Sequence, residues 1–368
     1  MASPHACRQW PALSFAQLLR LLVLFLLGCA AGLPARAAVP TAEQTALEQY
    51  RQGMALAVQG EMARALPLLR GIEAQRLEPG RRAHLGRVLA RFRDARAATT
   101  VDAAALSLDA WTAGVLADYR RYWHRAMLAP AQREAAEREL ARRLAGRLGR
   151  PAHSGMDELE PLLEQQLARR GWHALFGLTL PLREFMLWRS QQEQRYTVAL
   201  PEGEEQVPVA MLDGFASYGW VGFATAERSH TGGWTTPERL FCVRSAYQPD
   251  SEAFRVSYLA HEGQHFADKR RFPALEQPEL EYRAKLTELA LAEQTQDSLL
   301  QSFADNQSER RSSPHAHANR QLTLDLAAAL GRTAGGSRWW QDLAPAQIRS
   351  AAHQLLRQDS ARRAQGPG

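Results

Sequence analysis

The stretch Phe254-Arg-Val-Ser-Tyr-Leu-Ala-His261-Glu262-Gly263-Gln264-His265-Phe-Ala-Asp268 decides how this sequence is read. Residues four apart on an α-helix share one face, about one turn apart. Two imidazoles at that spacing, His261 and His265, can meet one zinc ion at about 2.0–2.1 Å each. Glu262 is rotated by roughly 100° from His261, so it flanks an open coordination position instead of filling it. From there it can take a proton from an activated water and pass it to a leaving amine. Phe254, Val256, Tyr258 and Leu259 give the preceding turns an apolar face, so the helix is expected to be buried. Pro249-Asp250-Ser251 supplies a cap for it, with the helix beginning near Glu252.

A hydrolytic zinc needs three protein ligands and one open place. The extended pattern with a glycine and a third histidine is absent, because Asp268 and Arg271 occupy those positions. The third ligand is therefore expected on a second helix, which starts at Pro278 and runs through Leu291 with an extension toward Phe303. That helix offers Glu279, Glu281 and Glu288. Glu281 is preferred: the spacing from His265 allows a turn and a return helix, and Ala284 permits close approach. Glu288 lies on the same face and is the alternative. Asp268 either orients a ligand from outside the coordination shell or pairs with Arg271. A donor for a developing oxyanion is expected from His315 or His317, with Tyr282 and His230 as further candidates.

The rest of the chain supplies context. It has 368 residues, 45% hydrophobic and 23% charged, which suits one or two globular domains with a core of their own. The net charge of +6 comes almost wholly from arginines interleaved with glutamates, such as Arg133-Glu134 and Arg138-Glu139. No basic stripe for phosphates is expected, and so no nucleic-acid partner. Residues 1–37 read as a secretory signal: Arg8 and Arg20 without acids, the apolar run Leu21–Leu27 extended to Leu33, and small residues at Ala35-Arg36-Ala37. Leu26-Leu27-Gly28-Cys29 competes as a lipobox, which makes membrane attachment through a lipid on Cys29 the alternative. Either way the expected location is beyond the inner membrane, periplasmic or lipid-anchored in the envelope. Cys7 and Cys29 fall in this segment, leaving Cys242 as a buried structural thiol.

Residues 41–150 read as helices, with Thr41 and Gln44 at capping-box spacing. Tyr50, Gly53, Ala57, Gly60, Ala65, Leu69 and Pro79 suggest one helical hairpin, a candidate surface for a protein partner. After Gly149-Arg150-Pro151 and Ser154-Gly155, residues 157–193 read as helical again. Short strands follow at Tyr196–Leu200, Val207–Met211 and Arg239–Tyr247. Residues 304–320 read as a polar loop, 321–330 and 345–357 as helices, and 359–368 as a disordered tail. Trp339-Trp340 is expected to anchor the C-terminal helix.

On His261-Glu262-x-x-His265 and Glu281 the chain resembles the zincin metallopeptidases, in particular the gluzincin, thermolysin-type arrangement with a glutamate on the next helix. The resemblance spans Tyr196–Glu293. It implies His261, His265 and Glu281 as zinc ligands and Glu262 as general base. It also implies a small sheet whose edge strand, between Val221 and Tyr247, holds an extended peptide. Where that family carries an aspartate four residues after the glutamate ligand, this chain has Lys285. The expected fold is thus α+β and mostly helical: a helical region at 41–150, then a zincin-like domain at 155–303 with a small sheet and an HExxH helix, then a loop and helices at 304–358. The expected activity is zinc-dependent hydrolysis of peptide or protein substrates. A non-catalytic envelope protein with a helical partner-binding module and a structural or vestigial metal site is the main alternative. A zinc hydrolase of a non-peptide amide, such as a cell-wall fragment, is a third.

Overall fold

The computed structural model describes residues 41–179, 181–236, 238–311, 314–334 and 338–365. The stretch expected to be a targeting segment, with Arg8, Arg20, Cys29 and Ala35–Ala37, lies outside the described residues. Among the described residues no helix is long and apolar enough to cross a membrane.

The fold is α+β and mostly helical, with one mixed five-stranded sheet. The chain divides into two compact units: Met1–Arg189 with Gly214–His230, and Ser190–Asp213 with Thr231–Gly368. The division falls inside two long strands and not at the glycine-rich punctuation near 149–155.

The first unit starts with α1 (Ala42–Ala57) and α2 (Met62–Arg70). Thr41 caps α1 through the capping box with Gln44 that the sequence predicts. The hairpin is tight: a Cβ on Gly53 would stand 2.5 Å from Leu69 Cδ2, so only glycine lets the two helices approach this closely. Then come α3 (Pro79–Arg91), α4 (Ala95–Thr99), α5 (Ala110–Leu128), α6 (Arg133–Leu148) and α7 (Met156–Ala168). Asp109 starts α5 by accepting the backbone N–H groups of Trp111 and Thr112. Gly149, in the left-handed region at φ 64°, ends α6. Tyr119, Trp123, Phe92 and Phe185 fill the core of this unit.

Residues 173–179 and 182–193, read as helical in sequence, form strands. β1 (His173–Thr179) pairs antiparallel with β2 (Leu182–Leu200), which neighbours β3 (Gly203–Tyr218). The helix stops at Ala168, and Gly171 at φ 74° turns the chain into the sheet. Tyr196–Leu200 is the end of the long β2 and Val207–Met211 lies inside the long β3, so neither is an isolated short strand. A short α8 (Gly219–Ala224) follows β3. β4 (Gly233–Thr235) pairs antiparallel with β5 (Leu240–Val243), and β5 runs parallel to β3. The order β1-β2-β3-β5-β4 leaves β4 on an edge.

The second unit is organised around α10 (Gln277–Leu291), whose residues are buried without a break from Leu280 to Leu289. It packs on α9 (His261–Arg271), α12 (Pro314–Ala329) and α13 (Pro345–Ala364), with α11 (Gln296–Asp305) against α12. Three further expectations are corrected here. The second helix does not reach Phe303: Glu252 accepts the N–H groups of Glu293, Gln294 and Thr295 and fixes a break between α10 and α11. The polar loop ends early, because α12 begins at Pro314. The tail is helical to Ala364, because Asp359 is drawn inward as a partner of the buried Arg283. Trp340 is buried in the core with Ile348 and Leu356, as expected of an anchor.

Candidate metal centre

The helix that carries His261 and His265 is built in two windings. Ser251 Oγ accepts the N–H of Phe254 at its start. Ala253–Ala260 is wound as a π-helix, and α9 continues from it at His261. Such wide turns are uncommon and concentrate at functional sites. Phe254, Val256, Tyr258 and Leu259 are buried, as their pattern predicts. Lys269, Arg270 and Arg271 close α9 where cations suit the helix dipole.

The imidazoles of His261 and His265 converge, with their Nε2 atoms 3.1 Å apart. Glu281, from α10, brings Oε2 to 3.6 Å from His261 Nε2 and Oε1 to 3.5 Å from His265 Nε2. All three residues are almost fully buried. Two tetrahedral ligand atoms, each about 2.0–2.1 Å from one zinc ion, stand about 3.3 Å apart. The three donors have that spacing, and two imidazoles with one carboxylate suit zinc chemically. The donor set therefore fits the metal that the sequence suggests.

The surroundings sort the remaining acids. Glu288 accepts a hydrogen bond from His261 Nδ1 at 2.7 Å, so the alternative third ligand is placed behind a histidine and not beside it. Burial alone lowers the basicity of His261, but the Glu288 carboxylate more than offsets this and holds its pKa up to about 9. Burial likewise disfavours ionised Glu281, yet His265, His315 and His261 together hold its carboxyl well below the usual range. His265 has no counterpart to Glu288, and its Nδ1 is buried without a hydrogen-bond partner among the described residues.

Glu262 points elsewhere, as its position on the helix requires. Its Oε2 accepts a short hydrogen bond from the hydroxyl of Thr235, on the edge strand β4. Gly233, two residues earlier, allows the close packing: a Cβ there would meet Phe241 O at 2.3 Å and Tyr258 at 2.9 Å.

The four candidate oxyanion donors separate. His315, near the start of α12 and part exposed, sets Nδ1 2.7 Å from Glu281 Oε2, so it touches the Glu281 carboxylate. His317 Nδ1 hydrogen-bonds the backbone oxygen of Glu309. The Tyr282 hydroxyl donates to Asp325 at 2.8 Å, and His230, in the other unit, stacks on Tyr218. Asp268 takes neither predicted role: it is buried and accepts two hydrogen bonds from Arg283, at 2.8 and 2.9 Å. Glu279 pairs with Arg311. Cys242 is buried and free, and burial raises its thiol to about 11, as suits a structural residue.

Thr235 and Lys285 are the site residues that sequence reasoning missed. Lys285 was visible as one helical turn after Glu281, whereas nothing in the spacing links Thr235 to Glu262. No protein-family profile, curated protein or solved structure matches this chain.

Proposed function

We propose that the protein is a zinc-dependent peptidase, exported and working in the cell envelope. The observation that supports it most is the convergence of His261 Nε2, His265 Nε2 and the Glu281 carboxylate beside Glu262. His261, His265 and Glu281 would hold the ion, which when bound polarises a water and a carbonyl. Glu262 is the general base: its carboxylate removes the water's proton and later gives it to the departing amine. Thr235 fixes the rotamer of Glu262 by its hydroxyl. Glu288 fixes the tautomer of His261, leaving Nε2 as the lone-pair nitrogen. β4, as an edge strand, can pair with an extended peptide beside Glu262. The apolar run and small-residue site at Leu21–Ala37 support export.

The test is Glu262→Gln. Peptide hydrolysis falls at least a thousandfold while one zinc per chain remains. Zinc held by the unaltered protein without hydrolysis of any peptide or muropeptide would favour a non-catalytic envelope protein instead.

A further inference from the structure

α10 buries four charged side chains, and three of them have evident compensation. Arg283 is surrounded by Asp268, Asp359 and Glu202. Glu288 is met by His261. Glu281 faces His261, His265 and His315. The fourth, Lys285, has a side chain only 9% exposed, and Glu281 is the one carboxylate within ion-pair range among the described residues, at 3.9 Å from Nζ to Oε2. Its other neighbour is the ring of Phe303, 4.8 Å below the ammonium. A buried cation is costly unless it is paired. Lys285 is thus paired with the carboxylate that would also serve the metal.

We infer that Lys285 is a built-in counter-ion for Glu281, which neutralises the carboxylate when no metal is held and competes with the metal for it. This rests on the reading of Glu281 as a ligand. The physical argument is one of like charges: a divalent ion held by Glu281 would stand close to the Lys285 ammonium in a buried site, where repulsion is weakly screened. A cation so placed weakens metal binding and stabilises the metal-free fold. The geometry also assigns the oxygens. His261, His315 and Lys285 all face Oε2, while Oε1 faces His265. A site arranged this way exchanges its ion more readily than the three ligands alone would allow.

The experiment measures the Kd for Zn2+ of the full-length protein by competition with a chromophoric chelator, together with the melting temperature of the metal-stripped form. Lys285→Met is expected to bind Zn2+ about tenfold more tightly, or better, and to melt lower than the unaltered protein when stripped. Lys285→Arg, which keeps the charge, should stay within about threefold in affinity. In a Glu281→Gln background the sign of the stability effect reverses, because Lys285 then has no carboxylate: Lys285→Met raises the melting temperature of the stripped protein. Unchanged or weaker Zn2+ binding in Lys285→Met overturns the inference while leaving the metal site intact. Failure of the unaltered protein to bind Zn2+ overturns the metal reading itself, and the competition with it. If Lys285→Met does not fold, the double variant Glu281→Gln/Lys285→Met decides. Its folding supports a charge pair, and its failure shows that Lys285 serves packing.

Discussion

His261 Nδ1 donates to Glu288 Oε1 across 2.7 Å, joining the first ligand position of α9 to the last acidic turn of α10. The bond holds the ring so that His261 Nε2 faces His265 and Glu281. Partners of this kind typically account for ten- to a hundredfold in metal affinity. Glu288→Ala should therefore weaken Zn2+ binding by about ten- to a hundredfold, with stoichiometry still reaching one at high zinc. Competition titration measures it, and an unchanged Kd would remove Glu288 from the site.

Thr235→Val should lower kcat for peptide hydrolysis by about tenfold, because Glu262 loses the hydroxyl that orients it. KM and zinc content should change little, since among the described residues the Thr235 hydroxyl bonds Glu262 and not His261, His265 or Glu281. Thr235→Ser should restore most of the rate. Equal losses in the serine and valine variants would point to packing of β4 rather than to the hydrogen bond.

Glu252 makes stability depend on acid pH. It accepts three backbone N–H groups and the Thr295 hydroxyl. Burial opposes its ionisation, but these bonds more than offset it and lower its pKa to about 2. The unfolded chain keeps a glutamate near its usual value of about 4.3. The contribution is therefore complete above about pH 5 and is lost as the pH falls toward 2. Glu252→Ala should cost about 2–3 kcal/mol at pH 7, read from urea unfolding of the stripped protein. The gap to the unaltered protein should close by pH 2. A gap that persists at pH 2 would mean the side chain acts by packing.

Asp359 tests the C-terminal helix. Its carboxylate sits 2.9 Å from Arg283, which is completely buried. Asp359→Ala should cost about 2–3 kcal/mol, since a buried guanidinium loses a charged partner. Deleting residues 359–368 should cost at least as much. A shift under about 0.5 kcal/mol would show that Asp268 and Glu202 suffice.

How far the sequence could be read follows from the kind of signal involved. His261, Glu262 and His265 were legible from helical spacing, and Glu281 from a turn and return helix of fitting length, with Glu288 as the alternative. The capping box at Thr41 and the break before α12 follow local rules, and the first was read correctly. β2 was not legible. Leu182–Leu200 is rich in Leu, Met, Arg, Gln and Glu, which favour helix, and only pairing with β1 and β3 makes it a strand. The tail misled by composition: Arg362, Arg363 and Gln365 look solvated, but Asp359 answers a charge on another helix, which no local pattern reveals. His315 and His317 looked equivalent two residues apart. A helix start at Pro314 sends one to Glu281 and the other to Glu309. The π-wound turns before His261 leave the apolar pattern readable and their winding hidden.

The proposed function stands on His261, His265 and Glu281 holding one metal ion. Elemental analysis of the purified protein, beside His265→Ala and Glu281→Ala, tests it most directly. One zinc per chain is expected in the unaltered protein and less than about a tenth of that in each variant after dialysis. No zinc in the unaltered protein after reconstitution, or full retention in both variants, would contradict it.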